Sequence, residues 1–165
     1  LKEELTEIQW LEEADYEVLY NRNGILSIEL RMNGTGAYPS GTSKVVVVNT
    51  KTGKKVTPAA AFRNLPGLAA FVNGSLKKEI AAAILEIRSD PENEEPAPEH
   101  LFTDARFTVR DLDGYAVEEN GVKFTYRYGF PHVIKALEPE GVFYFTWQQL
   151  KPFIQPRGLL ARFAR

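Results

Sequence analysis

Two histidines and a few neighbouring carboxylates are the residues of this chain whose types could do chemistry. His100 lies beside an acidic run and His132 follows Pro131. A catalytic metal site needs about three protein ligands, and a helical zinc motif sets two histidines four residues apart; neither histidine has that spacing. His132 alone has the chemistry of a general base or a ligand contact, and its plainer reading is a turn histidine. Glu118 and Glu119 are adjacent, so on a strand they point to opposite faces and read as a hairpin end rather than the facing pair of a glycosidase. Glu138 and Glu140 flank Pro139 and read as solvated turn residues. No Gly-x-Ser-x-Gly elbow, phosphate loop or dinucleotide fingerprint is present. With no cysteine in the chain, disulfides, thiolate zinc sites and a cysteine nucleophile are excluded together. No cofactor or metal is expected.

Aromatic residues are the better clue. Tyr115, Phe124, Tyr126, Tyr128, Phe130, Phe143, Tyr144, Phe145 and Trp147 crowd the last third. Alternating aromatics first of all fill a core, whereas exposed Tyr and Trp stack on sugar rings or anchor protein interfaces. Tyr38, Tyr128 and Trp147 sit at loop or strand ends and are the expected exceptions. With His132 they form the candidate binding set.

The bulk properties narrow the partners. At 165 residues the chain fits one domain, residues 1–165, with 44% hydrophobic and 25% charged residues, the composition of an ordinary globular protein. Twenty basic residues against 22 acidic ones leave a formal charge of -2, which argues against nucleic acid. Zero cysteine suits an exported protein. No run of about 18 apolar residues spans a membrane. The chain opens at Leu1 rather than Met, which leaves room for an export signal or membrane anchor ahead of it.

The elements that must position these residues are legible in the patterning. Residues 1–14 read as a flexible or linking segment. Residues 16–20 read as a strand that turns at Asn23-Gly24 into a second one, where Leu26, Ile28, Leu30 and Met32 face one way and Ser27, Glu29 and Arg31 the other, as in a half-buried hairpin. Residues 33–43, NGTGAYPSGTS, are rich in turn formers and read as a loop, the first place to look for binding. The β-branched run Val45–Val48 predicts a central strand covered on both faces, followed by a turn over residues 49–54. Over residues 67–88, Leu68, Phe71, Val72, Leu76, Ile80, Ile84 and Ile87 recur at three- and four-residue spacings, which predicts an amphipathic helix whose regular part begins after Ser75 because of Gly74. Residues 89–100, with three prolines and a run of carboxylates, read as a mobile acidic loop. The apolar runs 107–112, 115–118 and 122–128 predict strands, the last two joined through Glu119-Asn120-Gly121. Residues 141–146 read as the last strand, and Thr146 with Gln149 forms a capping box that opens a short helix. The expected class is α+β: an antiparallel sheet of hairpins packed against one long helix, with a short helix after Thr146.

The order YEVLYNRNGILSIEL, a Gly-rich loop ending in Tyr-Pro, VVVVNTKTGKKVTPAAAF, an amphipathic helix and FTVRDLDGYAVEENGVKFTYRY resembles a bacterial domain family of unknown function. That family is the extracytoplasmic, non-catalytic domain shared by PdaC-type peptidoglycan deacetylases and the lysozyme-sensing anti-sigma factor RsiV. The resemblance runs from Tyr16 to about Phe153. Its usual Gly-Gly-Ala-His-Pro segment is matched here by Gly36-Ala37-Tyr38-Pro39, with Tyr38 in place of the histidine, and residues 129–141 depart from its pattern. The resemblance implies an extracytoplasmic location and a cell-wall fragment or a protein partner such as lysozyme as ligand.

The leading expectation is a non-enzymatic envelope module that binds a peptidoglycan fragment or a protein partner through the 33–43 segment and nearby aromatics. A carboxylate- and His132-dependent enzyme acting on a cell-wall polymer is the alternative. A structural or oligomerising domain, which would show a large apolar patch and no cleft, is the third.

Overall fold

A computed structural model describes residues 11–35, 39–91 and 97–164 of the chain, with the side chains of residues 39 and 40 left aside. Four strands, β1 (Leu11–Arg22), β2 (Ile25–Thr35), β3 (Pro39–Asn49) and β4 (Lys54–Lys55), form one antiparallel sheet in the order β1-β2-β3-β4. A one-turn helix α1 (Pro58–Ala61) and the long helix α2 (Leu65–Ser89) follow. Strands β5 (Ala116–Glu118), β6 (Gly121–Thr125) and β7 (Val142–Thr146) make a second antiparallel sheet in that order, and α3 (Trp147–Leu150) closes it. Short 3-10 helices punctuate the connections at Pro98–Phe102, Asp111–Gly114, His132–Leu137, Lys151–Phe153 and Leu159–Ala164. The α+β class follows, with two sheets where one was expected.

The first hairpin turns where the sequence says it should. Asn23 and Gly24 both sit at positive φ, 58° and 79°, the pair of left-handed residues that a two-residue turn needs to match strand twist. The Asn23 side-chain amide also donates to the Tyr20 hydroxyl at 2.9 Å. Beyond it the ribbon is longer than the patterning suggested. Leu11, Glu13 and Ala14 pair with Gly34, Asn33 and Met32, so β1 starts well before Tyr16.

The 33–43 segment is a correction. Asn33, Gly34 and Thr35 pair with Gly41, Ser40 and Pro39, so turn-forming residue types are carried into a β ladder by the strands on either side of them. Residues 36–38 lie outside the described residues.

The faces of this sheet also differ from expectation. Val45 and Val47 are buried while Val46 and Val48 are only half-buried, because β3 has a core on one side and not on both. On β2 the core takes the side carrying Ile25 and Ser27, each 0% exposed. Ser27 is held there by chemistry rather than hydrophobicity: its hydroxyl accepts the Val117 N–H at 3.0 Å, joining the first sheet to β5 of the second. Alternation alone shows that a strand has two unlike sides. It does not say which side meets the next layer.

The long helix starts earlier than Gly74 suggested. Asn64 caps it, accepting from Gly67 N at 3.2 Å, and Pro66 occupies the first turn, where a missing N–H costs nothing. The helix then runs unbroken through Gly74. Leu68, Val72 and Leu76 reach the main core with Ile25, Val47, Tyr115, Phe124 and Phe145, while Ile87 joins Phe102 and Phe130 in a second cluster. Residues 107–112 are not a strand: Asp111 accepts from Thr108 N and Thr108 Oγ1 at 2.6 and 2.7 Å, and this local turn leads into the Asp111–Gly114 helix. Of the acidic loop, residues 92–96 lie outside the described residues; its C-terminal end is the 3-10 helix Pro98–Phe102.

The second hairpin forms between Glu118 and Gly121 as expected, for a different reason. Neither Asn120 nor Gly121 is at positive φ. Gly121 answers to space: a Cβ there would stand 2.1 Å from the Phe145 carbonyl oxygen. The capping box at Thr146 is present, with Gln149 Oε1 accepting from Thr146 N at 2.9 Å.

Candidate functional site

The four residues singled out from sequence fall in separate places. Tyr38 lies outside the described residues. His132 is exposed at the first position of the His132–Leu137 helix. Trp147 is tied into the structure: its indole N–H donates to the Glu119 carbonyl at 3.1 Å, and its ring stacks on Phe163 with centroids 4.0 Å apart and 6° between planes. Its position clamps the β5–β6 turn.

Tyr128 sits in an aromatic group with Tyr126, Phe102 and Phe130, edge-on to the first two at 4.9 and 5.6 Å. Its hydroxyl donates to Glu79 on α2 at 2.6 Å. Burial, and then this contact with an anionic acceptor, push the phenol well above its ordinary value. The other Glu79 oxygen accepts the Gly141 N–H at 3.1 Å. One carboxylate thus joins the helix to both ends of the segment between β6 and β7.

That segment and α2 enclose a cleft of about 410 Å³ lined by Glu79, Glu86, Asp90, Glu138 and Glu140 over a floor that includes Ala82, Ala83, Ile87 and Leu137. Glu138 is not the solvated turn residue that its sequence neighbourhood suggests. It accepts the Gly129 N–H at 3.1 Å and pairs with Lys135, leaving its side chain 12% exposed. Among the described residues no group of three or more His, Asp or Glu is placed to hold a metal ion.

A second cleft of about 410 Å³ lies beside the paired part of 33–43, lined by Arg31, Asn33, Gly41, Thr42, Ser43, Arg127, Gly129, Lys135 and Glu138. Sequence reasoning chose the segment and missed the arginines. Arg31 pairs with Glu29 at 3.1 Å and with Glu17, contacts that push its guanidinium further up. Arg127 reaches across from the second sheet, donating to Thr42 Oγ1 at 3.2 Å and to the Ser43 carbonyl. A smaller cleft of about 270 Å³, lined by Asp111, Asp113 and Thr125 among others, lies on its other side.

The third feature is a surface. Tyr16 and Val18 pair with Leu30 and Ile28, which pair in turn with Lys44 and Val46, and Leu26 pairs with Val48. Paired residues of an antiparallel ladder share a face, so these apolar side chains form one outward stripe across three strands. Tyr16 is 63% and Val18 47% exposed, and none of Tyr16, Val18, Leu26, Ile28, Leu30, Val46 and Val48 belongs to either core cluster. With strands about 4.8 Å apart and same-face residues about 7 Å apart, the seven positions cover roughly 240 Å², of which the half-buried Leu26, Ile28, Leu30, Val46 and Val48 expose only part. β1 is an edge strand, and its Glu13, Asp15 and Glu17 pair with Asn33, Arg31 and Glu29 on the opposite face from the stripe. The alternation of Leu26, Ile28 and Leu30 was the available signal, and it points away from both core clusters, while Met32 on the same side is buried.

No family model and no curated protein matches this chain. Among solved structures it is similar to a member of the DUF3298 family from Bacteroides fragilis, with a TM-score of 0.56 over 91% of this chain at 8% identity. It is also similar to a DUF3298 family protein from Pseudomonas aeruginosa, with a TM-score of 0.55 over 87% of this chain at 14% identity. At such identities the likeness is one of fold: the chain has a DUF3298-type α+β fold. It spans 56% and 61% of the length of those two chains.

Proposed function

We propose that this domain is a non-enzymatic binding module of the cell envelope that docks a protein partner on the outer face of its first sheet. The observation that carries the reading is the apolar stripe of Tyr16, Val18, Leu26, Ile28, Leu30, Val46 and Val48, whose most exposed members are Tyr16 and Val18 on the edge strand β1. Apolar side chains set side by side on a solvent-facing sheet surface are what protein interfaces look like before they close. A stripe of roughly 240 Å² is under a third of what one partner contributes to a standard interface, so a binder must extend beyond it.

Envelope location rests on the absence of cysteine and on the resemblance to the extracytoplasmic domain of PdaC-type deacetylases and RsiV. Lysozyme is the natural probe. The test is surface plasmon resonance of the domain against lysozyme, in wild type and in a Tyr16→Ser/Leu30→Ser variant, with soluble muropeptides as a second analyte. Removing two apolar contacts of about 1.5–3 kcal/mol each weakens binding by at least about tenfold if the face is the site. Equal affinity in the variant would sink this reading. So would self-association of the wild type through the same face, which would favour the oligomerising alternative.

A further inference from the structure

The cleft beside the β2–β3 ribbon has a charge balance that singles out one residue. Four charged side chains line it: Arg31, Arg127, Lys135 and Glu138. Arg31 is matched by Glu17 and Glu29, and Lys135 by Glu138. Arg127 is the one left over. Its Nη2 is held by Thr42 Oγ1 and the Ser43 carbonyl, both neutral acceptors, and no carboxylate among the described residues pairs with it. The nearby Asp111 and Asp113 are committed elsewhere, Asp111 to Thr108 and Asp113 to Lys55 at 2.7 Å.

A guanidinium carries five donors in a rigid fork. Anchoring Nη2 fixes the plane of that fork and leaves Nε and Nη1 without a hydrogen-bond partner among the described residues. This is a preorganised cation: two acceptors hold its direction, and its charge is unmatched. Around it the cleft offers the Asn33 amide, the Thr42 hydroxyl and the Glu138 carboxylate, which exchange hydrogen bonds with hydroxyl groups, and among the described residues no aromatic or large aliphatic side chain lines it. Such a lining suits a hydrophilic ligand better than an apolar peptide side chain.

We propose that this cleft is a binding site for a carboxylate-bearing saccharide, with the carboxylate on Arg127 and the sugar hydroxyls on Asn33, Thr42 and Glu138. The site is on the opposite side of the first sheet from the apolar stripe, since Arg31 alternates with Leu30, and it stands whether or not a protein docks there. Neutral acceptors, rather than a competing acid, hold Arg127, so a ligand carboxylate displaces water and not an internal ion pair.

The test is a two-dimensional NMR titration of the ¹⁵N-labelled domain with sodium glucuronate, with glucose and inorganic phosphate as separate arms, in wild type and Arg127→Gln. The expected result is saturable shifts at Thr42, Ser43, Arg127 and Gly129 with glucuronate, no saturable shift with glucose, and at least a tenfold weaker response in Arg127→Gln. Arg127 is exposed, so the variant is expected to fold, and an unchanged spectrum away from the cleft verifies that. Glucuronate shifts that persist undiminished in Arg127→Gln overturn the assignment of the anchor. Phosphate acting as well as glucuronate, or no saturable shift with glucuronate, overturns the saccharide site.

Discussion

The Tyr128 hydroxyl donates to Glu79 Oε2 at 2.6 Å while Glu79 Oε1 accepts the Gly141 N–H at 3.1 Å. A single carboxylate on α2 therefore holds both ends of the 129–140 segment, which lines the acidic cleft and part of the arginine cleft. Hydrogen bonds to a charged acceptor are worth about 1.5–3 kcal/mol, and Glu79→Ala removes two of them. We expect that variant to lose about 2–4 kcal/mol in urea denaturation, and its amide shifts to concentrate over residues 126–141. A loss below about 0.5 kcal/mol would mean that the node does not organise the segment.

The same node sets a pH dependence. Burial first and the Glu79 contact second raise the Tyr128 phenol above its usual value, so the folded form keeps its proton to higher pH than the unfolded chain does. Its contribution is present below about pH 10, where an unfolded tyrosine titrates, and is lost as pH rises toward the folded value. Tyr115, raised mainly by burial, acts with the same sign. Urea midpoints should fall above about pH 10 in the wild type and fall less steeply in Tyr128→Phe. A wild-type midpoint that stays level to about pH 11 contradicts this.

Two glycines should respond in opposite directions. A Cβ at Gly74 meets no atom within 4 Å, and the helix passes through it unbroken, so Gly74→Ala should stabilise the domain by about 0.5–1 kcal/mol. At Gly121 a Cβ would lie 2.1 Å from the Phe145 carbonyl, which forces β6 and β7 apart. Gly121→Ala should cost at least about 2 kcal/mol, as overpacking does. Thermal unfolding of the two variants reads both signs.

Ser27 joins the sheets through one bond. Ser27→Ala leaves the buried Val117 N–H without its acceptor, at a cost of about 1–3 kcal/mol. Ser27→Thr, which keeps the hydroxyl but adds a methyl in a fully buried site, separates the lost bond from crowding. If denaturation shows Ser27→Ala to be neutral, the inter-layer bond carries no stability.

Much of the fold was legible, and the misses share a cause. Asn23-Gly24 and the Thr146–Gln149 box are local signals that formed where the residues placed them, and the periodic helix formed too, although its regular turns begin at Leu65 rather than after Ser75. The direction of β2 was not local. Leu26, Ile28 and Leu30 point away from the core while Ile25 and Ser27 face it, and Ser27 reaches β5 by a contact across 90 residues that no window along the chain contains. The 33–43 segment was chosen for its turn-forming types, which the ladder overrode, yet it does border a cleft. Of the aromatic candidates, Tyr128 and Trp147 have partners from distant parts of the chain, Glu79 and Phe163, and periodicity is silent about both. Arg127 went unnoticed because alternating cations on a strand look like any wet face until the opposing strand is in view.

The outer face can be tested without a partner. Tyr16, Val18, Ile28 and Leu30 lie outside the core clusters, so Tyr16→Ser and Leu30→Ser should each change stability by no more than about 1 kcal/mol. A loss of about 3 kcal/mol from either would place the stripe within the folding core instead.

The most direct measurement is the map of amide shifts when lysozyme is titrated into the ¹⁵N-labelled domain. The account predicts shifts and line broadening concentrated on β1, β2 and β3 around Tyr16, Val18, Ile28, Leu30 and Val46, and abolished in Tyr16→Ser/Leu30→Ser. Perturbations confined to other faces, or none at protein concentrations of about 100 μM, where even a weak specific complex forms, would contradict it.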